Sequence, residues 1–258
     1  TVAQNLTVVS GAHGTNVVNV RVNNAAGVNL TADMSIRNLT LTNGSVTGAG
    51  VLSYGASSLL TYNSSTGAQT INATEFPATN GPASLTINNT TASPNNTVTL
   101  NAARSLGATG VLTLTNGFLV NGANTLTIAN PAVGGISGGS ATTHVKGALS
   151  RNLASGLASG STYVFPVGAS GYNPFSLVNP TTNSGTIPVN ISVIVSDSST
   201  GGVATGSLSA LNSNRNWLVD VTDTENNFTG SLVRLTDTPS GANAIGFSAD
   251  GGLTYNLV

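Results

Sequence analysis

The sequence contains no cysteine, few charged residues and no long apolar run, and each absence excludes a class of protein. Without cysteine, the fold depends on no disulfide and a thiolate zinc site is excluded. Only 6 % of the 258 residues are charged and the net charge is −1, so we expect no nucleic-acid partner. No apolar run approaches the roughly 20 residues of a membrane helix, so we expect no membrane insertion. No signal peptide is recognisable at the start, which is typical of a mature or trimmed chain.

The residues that are abundant point to an all-β fold. Apolar residues make up 39 % of the chain, and many of them are β-branched, which is enough to form a core. The remaining residues are mostly threonine, serine, asparagine and glycine. Threonine favours strands, whereas asparagine and glycine favour tight turns. Such a neutral surface has little self-repulsion, and low net charge promotes association.

The hexapeptide LTLTNG occurs twice, at residues 39–44 and 112–117, inside a longer internal repeat. Each match consists of short segments with alternating apolar residues, separated by turn signals. The offset between the copies drifts from 65 to 74 residues. The matching segments are residues 20–24 with 85–89, 28–36 with 98–106, 38–46 with 111–119 and, more loosely, 48–54 with 122–128.

Repetition of this kind favours a β-solenoid, in which short strands stack in successive coils. In LTLTNG the leucines would point inward and the threonines outward, because side chains alternate along a strand. The Asn-Gly pair would then turn the chain at a corner, since both residues tolerate a positive φ. A β-hairpin with an Asn-Gly turn is the alternative interpretation.

The distribution of aromatic residues changes near residue 145. Residues 1–145 contain four aromatic residues and residues 146–258 contain eight. A narrow solenoid is filled by aliphatic rows, whereas the space between two facing sheets accepts bulky rings. The sequence therefore predicts a β-solenoid over residues 1–145 and an antiparallel β-sandwich over residues 146–258.

Two phrases in the second half resemble a known module. Tyr163-x-Phe165-Pro166-Val167-Gly168 and the later Asn214-Arg215-x-Trp217 are similar to phrases in large secreted surface proteins of the Bacteroidota–Chlorobiota group. In those proteins, strand-rich repeats precede a sandwich-like segment. The resemblance covers roughly residues 85–258, and residues 20–54 through the internal repeat. It implies secretion and an extracellular or cell-surface location, in proteins described as surface, adhesin-like or cell-wall-associated.

The chain offers little material for catalysis. The predicted solenoid has only two carboxylates, Asp33 and Glu75, which a glycosidase would need about 5–10 Å apart. The non-catalytic alternative is that these two acids are surface residues or caps at turns. The two histidines, His13 and His144, lack the surroundings of a nucleophilic triad, and we expect them at a surface or an interface. We therefore expect no enzymatic activity and no cofactor.

Calcium is the one metal for which the sequence contains candidates. Asp220, Asp223 and Glu225 lie close together in the segment DVTDTENN, and oxygen ligands at such spacing can hold a hard cation. The segment lacks the EF-hand pattern. A polar hairpin tip between two strands is the alternative, and we favour it.

The sequence favours a secreted, non-enzymatic structural protein that self-associates into an extracellular filament or surface layer through β-strand contacts. Residues 1–10 form either the first strand of the first coil or a segment that pairs with the next molecule. The candidate contact residues there are Val2, Leu6, Val8 and Val9.

The alternative function is a glycan-binding module of a larger cell-surface adhesin. In that hypothesis the partner is a surface glycan, and the threonine-rich faces form an adhesive surface. Exposed aromatic rings would stack on the sugars, and the candidates are Tyr54, Tyr62 and Tyr172.

Overall fold

The computed structural model describes residues 2–6, 19–199, 201–211, 215–237 and 245–258. Their regular structure is almost entirely β, apart from one 3-10 turn at Val133–Gly135, which confirms the all-β prediction. None of the helical structure in these residues has the length and apolar character needed to cross a membrane. The strands are β1 (Gln4–Leu6), β2 (Asn19–Asn23), β3 (Val28–Leu30), β4 (Met34–Asn43), β5 (Val46–Gly48), β6 (Leu52–Tyr62), β7 (Gln69–Ile71), β8 (Ser84–Asn88), β9 (Thr97–Leu100), β10 (Arg104–Leu106), β11 (Leu112–Asn116), β12 (Phe118–Ile128), β13 (Ile136–Gly138), β14 (Val145–Asn152), β15 (Thr162–Phe165), β16 (Val167–Gly168), β17 (Phe175–Thr182), β18 (Asn190–Ser196), β19 (Val203–Ala204), β20 (Asn216–Thr222), β21 (Phe228–Leu235), β22 (Gly246–Phe247) and β23 (Thr254–Leu257).

The first part of the chain winds into a β-solenoid of about 7 turns, as the repeats predict. Successive coils stack their strands in parallel on two long faces. The front face, as we name it, carries the strands that contain LTLTNG, in the order β2, β4, β6, β8, β11, β13. The back face carries β1, β3 and β5, and then, after a break in pairing, β7, β9, β12 and β14.

The two LTLTNG copies lie in β4 and β11, three coils apart on the front face. Their leucines are buried and their threonines lie on the outer side, as predicted. Equivalent residues stack directly on one another across the coils. An inner row runs through Leu39, Leu60, Leu85 and Leu112, and an outer row through Arg21, Thr40, Thr61, Thr86 and Thr113.

The Asn-Gly pair turns the chain at a corner, and the glycine provides the required conformation. Gly44 and Gly117 have φ values of +81° and +77°, in the left-handed region that favours glycine. A Cβ atom on Gly44 would lie 1.9 Å from the carbonyl oxygen of Asn24. The strand after the second copy, β12, pairs with β9 and β14 and not with β11, so the hairpin alternative is wrong.

Asparagine side chains bond one coil to another at several corners. The Oδ1 atoms of Asn89 and Asn130 accept hydrogen bonds from backbone N–H groups two residues later, at 3.0 and 2.9 Å. Their Nδ2 atoms donate to the carbonyl oxygens of Gly67 and Gly110, at 2.9 and 2.8 Å. Because one side chain both closes a turn and reaches an earlier part of the coil, this arrangement accounts for part of the high asparagine content.

Antiparallel strands follow the solenoid, so the sandwich prediction holds in part. Strands β15, β17 and β21 form a separate antiparallel sheet. Strands β18 and β20, however, extend the back face itself, because β14 pairs in parallel with β12 and antiparallel with β18. The sheet is therefore continuous across the predicted boundary at residue 145, and parallel pairing persists to β16.

Arg151 lies at the junction between the two parts and is almost completely buried. Its guanidinium donates hydrogen bonds to the carbonyl oxygens of Ala132, Val133 and Val164, at 2.8 to 3.1 Å. The same group lies 4.7 Å from the centre of the Tyr163 ring. Burial lowers the pKa of Arg151 to about 10. Backbone carbonyls and aromatic rings therefore surround this charge and tie the last coils to β15.

Candidate functional site

At the amino-terminal end of the solenoid, β1 and β2 each have one neighbouring strand among the described residues. Gln4–Leu6 pairs in parallel with Val28–Leu30 of its own chain, as expected for the first strand of a coil. Val2 is 84 % exposed, and its carbonyl oxygen accepts a hydrogen bond from Asn24. Val8 and Val9 lie outside the described residues, and only the backbone position of Leu6 is defined. The contact role of this segment stays a prediction.

Strand β2 closes the front face at the same end. Within the described residues it pairs with β4 alone. Val22 is buried and Val20 is half-buried against the core, while Arg21 points outward at the start of the threonine row. The Nε atom of Arg21 donates to Thr42 Oγ1 at 3.1 Å. The strand thus presents one open edge with a cation on its outer side.

Two long edge strands, β20 with 7 residues and β21 with 8, lie in the carboxyl-terminal part of the chain. In the described part of the chain, β20 pairs only with β18, and β21 only with β17. Leu218 on β20 and Leu232 on β21 are both 66 % exposed, and Val221 and Val233 on the same strands are also exposed. Unpaired backbone groups beside exposed apolar side chains are the usual template for pairing with another chain.

A second candidate site lies where the back face is interrupted between β5 and β7. Here side chains take over the hydrogen bonds that strand pairing would supply. Glu75 Oε1 accepts from the backbone N–H of Val46 at 2.8 Å, and Asn72 Nδ2 donates to the carbonyl oxygen of Val46 at 3.0 Å. Glu75 Oε2 accepts from the Tyr62 hydroxyl at 2.6 Å. Glu75 is fully buried, so the prediction that it is a surface residue is wrong.

Burial raises the pKa of Glu75 to about 7, although its hydrogen bonds with Tyr62, Val46 and Asn72 act in the opposite direction. A carboxyl group with such a pKa can act as an acid or a base near neutral pH. Asp33 lies at another turn, where it is exposed and accepts from the backbone N–H of Val51 at 2.9 Å. Asp33 is exposed and Glu75 is fully buried, and among the described residues the two acids share no hydrogen-bond partner.

A groove of about 430 Å³ opens beside this break. It is lined by Ala25, residues 43–45, Tyr62, Ser64, residues 66–70 and Asn72, and it includes the first Asn-Gly corner. Hydroxyl and amide groups dominate, and none of the lining side chains is charged. The groove therefore results from the missing strand pair, and Glu75 lies behind it through its contacts with Tyr62 and Asn72.

Two of the three predicted glycan-stacking residues are in the core. Tyr54 is 8 % exposed and Tyr62 is 1 % exposed, because both occupy inward positions of β6. The Tyr54 hydroxyl donates to the backbone carbonyl of Glu75 at 2.6 Å. Their prediction as exposed stacking rings is therefore wrong. Tyr172 is half-buried, with its ring centre 5.7 Å from that of His144.

Two of the acidic candidates for calcium have structural hydrogen bonds, Asp223 within its own turn and Glu225 to an earlier loop. Glu225 accepts four hydrogen bonds from Thr186, Ile187 and a neighbouring amide, and these lower its pKa to about 2. Asp223 accepts from the backbone N–H of Phe228 at 2.6 Å. Asp220 points outward from β20. The part of the chain that the structure describes holds no group of three or more His, Cys, Asp or Glu placed to bind a metal. This geometry favours the polar-turn interpretation.

His144 is buried, which corrects its prediction as a surface or interface residue. Its Nδ1 atom lies 3.1 Å from the carbonyl oxygen of Ser140, and its ring packs edge-on against Phe118. Burial lowers the pKa of His144, so the imidazole is neutral at pH 7. His13 and Asn214 lie outside the described residues.

Arg215 and Trp217, from the later of the two phrases, make side-chain contacts in the antiparallel part. Arg215 forms ion pairs with Asp197 and Asp237, the first at 2.9 Å. The Trp217 indole N–H donates to the carbonyl oxygen of Asn173 at 3.0 Å, and the Asn173 amide donates to Asp237. These contacts hold β20 against the segment that follows Gly168, so Arg215 and Trp217 have a structural role here.

Sequence reasoning did not anticipate the Glu75 cluster or the buried Arg151. The sequence contains one feature that distinguishes Glu75 and Arg151: each is a single charged residue in an apolar, strand-rich segment. No family model matches this chain, and no curated protein or solved structure matches it.

Proposed function

We propose that the protein is a secreted, non-enzymatic structural protein whose copies associate through β-strand contacts into an extracellular filament or surface layer. The observation that supports this proposal best is that edge strands lie at both ends of the molecule. Among the described residues, β1 and β2 at one end and β20 and β21 at the other each have a single neighbouring strand.

The exposed residues at these ends add to the argument. Isolated solenoids need polar terminal coils or caps to stay dispersed. Here the carboxyl-terminal edges instead expose Leu218, Val221, Leu232 and Val233. The low charge supports the same proposal, because a chain with a net charge of −1 opposes close approach of its own copies only weakly. A fold that needs no disulfide and little charge also suits an exposed location.

Electron microscopy and sedimentation velocity of the purified chain test the proposal. We expect filaments or sheets whose amount increases with protein concentration. Leu218→Lys and Leu232→Lys place a charge on the two edges and should shift the distribution toward monomer. Ile187→Lys is the control, because Ile187 is 51 % exposed but belongs to no strand. Monomers alone, at high concentration of the wild-type chain, would overturn the proposal.

A further inference from the structure

Charge is unevenly divided along the chain. Residues 1–152 contain five basic and two acidic side chains, a net charge of +3, whereas residues 153–258 contain two basic and six acidic ones, a net charge of −4. The stacking direction of the coils separates the first strands from the last ones. The amino-terminal and carboxyl-terminal parts of the chain therefore carry opposite net charges, which favours the approach of one copy to the next.

The edge strands at these ends have complementary patterns. β2 contains Val20-Arg21-Val22, with the valines toward the core and Arg21 outward. β20 contains the sequence Val-Asp-Val at residues 219–221. Val219 and Val221 lie beside the buried Val193 and Ile191 of β18, so they belong to the inner row, while Asp220 lies beside Ser192 on the outer side.

We infer that β2 of one copy pairs with β20 of the next copy, with Arg21 beside Asp220; this inference rests on the proposed self-association. The pairing continues both inner valine rows across the junction and places the opposite charges on the outer face. It also covers Val221, which is 44 % exposed in the single chain. The palindromic valine spacing permits the same match in parallel or antiparallel orientation.

The other edge strands in the described part of the chain fit less well, and β13, β15, β19 and β22 among them are only 2 to 4 residues long. β1 is only 3 residues long, against 5 for β2 and 7 for β20. β21 contains Gly230 and exposes Arg234, which would repel Arg21. A junction between β2 and β20 joins different surfaces of two identical chains, so each copy added along the stacking direction of the coils leaves the same two edges free. Such a contact produces a filament.

A charge swap tests the pairing. Arg21→Glu and Asp220→Arg each place like charges side by side and should raise the concentration needed for assembly at least about tenfold. The double variant restores opposite charges and should return it to within about threefold of wild type. Arg37→Glu is the matched control, since Arg37 is exposed on β4 and away from the edge. Circular dichroism verifies that each variant is folded.

Cross-linking gives a second readout, because the chain has no cysteine of its own. Mixed under oxidising conditions, Arg21→Cys and Asp220→Cys chains should form a reducible dimer, whereas Arg37→Cys and Asp220→Cys chains should not. If the wild-type chain assembles but the swap fails to restore assembly and no specific dimer forms, the β2–β20 pairing is wrong and self-association stands. If the wild-type chain does not assemble, the proposed function fails first.

Discussion

Replacing Glu75 with glutamine should change the pH dependence of unfolding. The variant keeps the size and shape of the side chain and removes its titration. Its amide oxygen can still accept from the backbone N–H of Val46, and its amide nitrogen can donate to the Tyr62 hydroxyl. We therefore expect the fold to persist and the loss of the buried ionisable group to dominate the result.

The magnitude follows from the pKa of Glu75, which burial raises from 4.5 to about 7. A raised pKa of an acid in the folded state stabilises the fold below the unfolded-state pKa, and this stabilisation is lost as the pH increases through the folded-state value. The difference corresponds to about 3 kcal/mol between pH 4.5 and pH 7.5. The free energy of unfolding of the wild-type chain should therefore fall over this range relative to that of Glu75→Gln.

Urea titrations of both proteins at pH 5, 6, 7 and 8 measure this difference. Comparing the two proteins cancels the contribution of His144, whose lowered pKa has the opposite sign and destabilises the fold as the pH decreases. If the two stability curves stay parallel within about 0.5 kcal/mol, Glu75 does not titrate in this range. That result would mean that the hydrogen bonds to its carboxylate outweigh its burial.

Two further substitutions test the corner and the junction. Gly44→Ala should lower the free energy of unfolding by at least about 2 kcal/mol, because of its positive φ and the close approach of Asn24, whereas Gly55→Ala, with nothing within 4 Å, should change it by less than about 0.5 kcal/mol. Equal effects in thermal or urea unfolding would contradict the corner argument. Arg151→Met should cost about 2–4 kcal/mol, since three carbonyl groups lose their donor, and Arg37→Met on the surface should cost less than about 0.5 kcal/mol. If Arg151→Met leaves the free energy of unfolding unchanged in the same titration, the hydrogen bonds of Arg151 only offset the cost of burying its charge.

Much of the solenoid could be predicted from sequence because its strands follow a period of two. Leucine and threonine alternate in both LTLTNG copies, so inward and outward sides could be assigned without coordinates. The corner could be predicted from glycine, which alone adopts the left-handed conformation there; Asn43 and Asn116 are the last residues of their strands. Both the orientation of the strands and the position of the corner therefore depend on neighbouring residues in the sequence.

The Glu75 site could not be predicted because its parts are distant in sequence. Tyr62 and Tyr54 lie 13 and 21 residues before Glu75. Only the stacking of coils places them together, and only the missing pairing between β5 and β7 creates a demand for side-chain hydrogen bonds. A single sequence does not reveal whether a tyrosine is buried, because its ring is apolar while its hydroxyl needs a hydrogen-bond partner.

The change in aromatic content near residue 145 was correctly detected, but it does not mark an end of the sheet. Tyr163 and Phe165 pack around Arg151, which belongs to the strand that begins at Val145. One strand can pair in parallel on one side and antiparallel on the other. The composition therefore indicates a change from an aliphatic to an aromatic core, whereas the strand pairing of the back face continues across residue 145.

The stacked leucines of the front face make the length of this molecule adjustable. Leu39, Leu60, Leu85 and Leu112 occupy equivalent places in successive coils, although 21, 25 and 27 residues separate them. Those intervals add up to the offset between the two LTLTNG copies, so the internal repeat corresponds to three coils. Duplicating this segment would lengthen the body by about 14 Å, at about 4.8 Å for each coil. Both terminal edges would be unchanged, so selection can vary the length of such a protein without altering its ends.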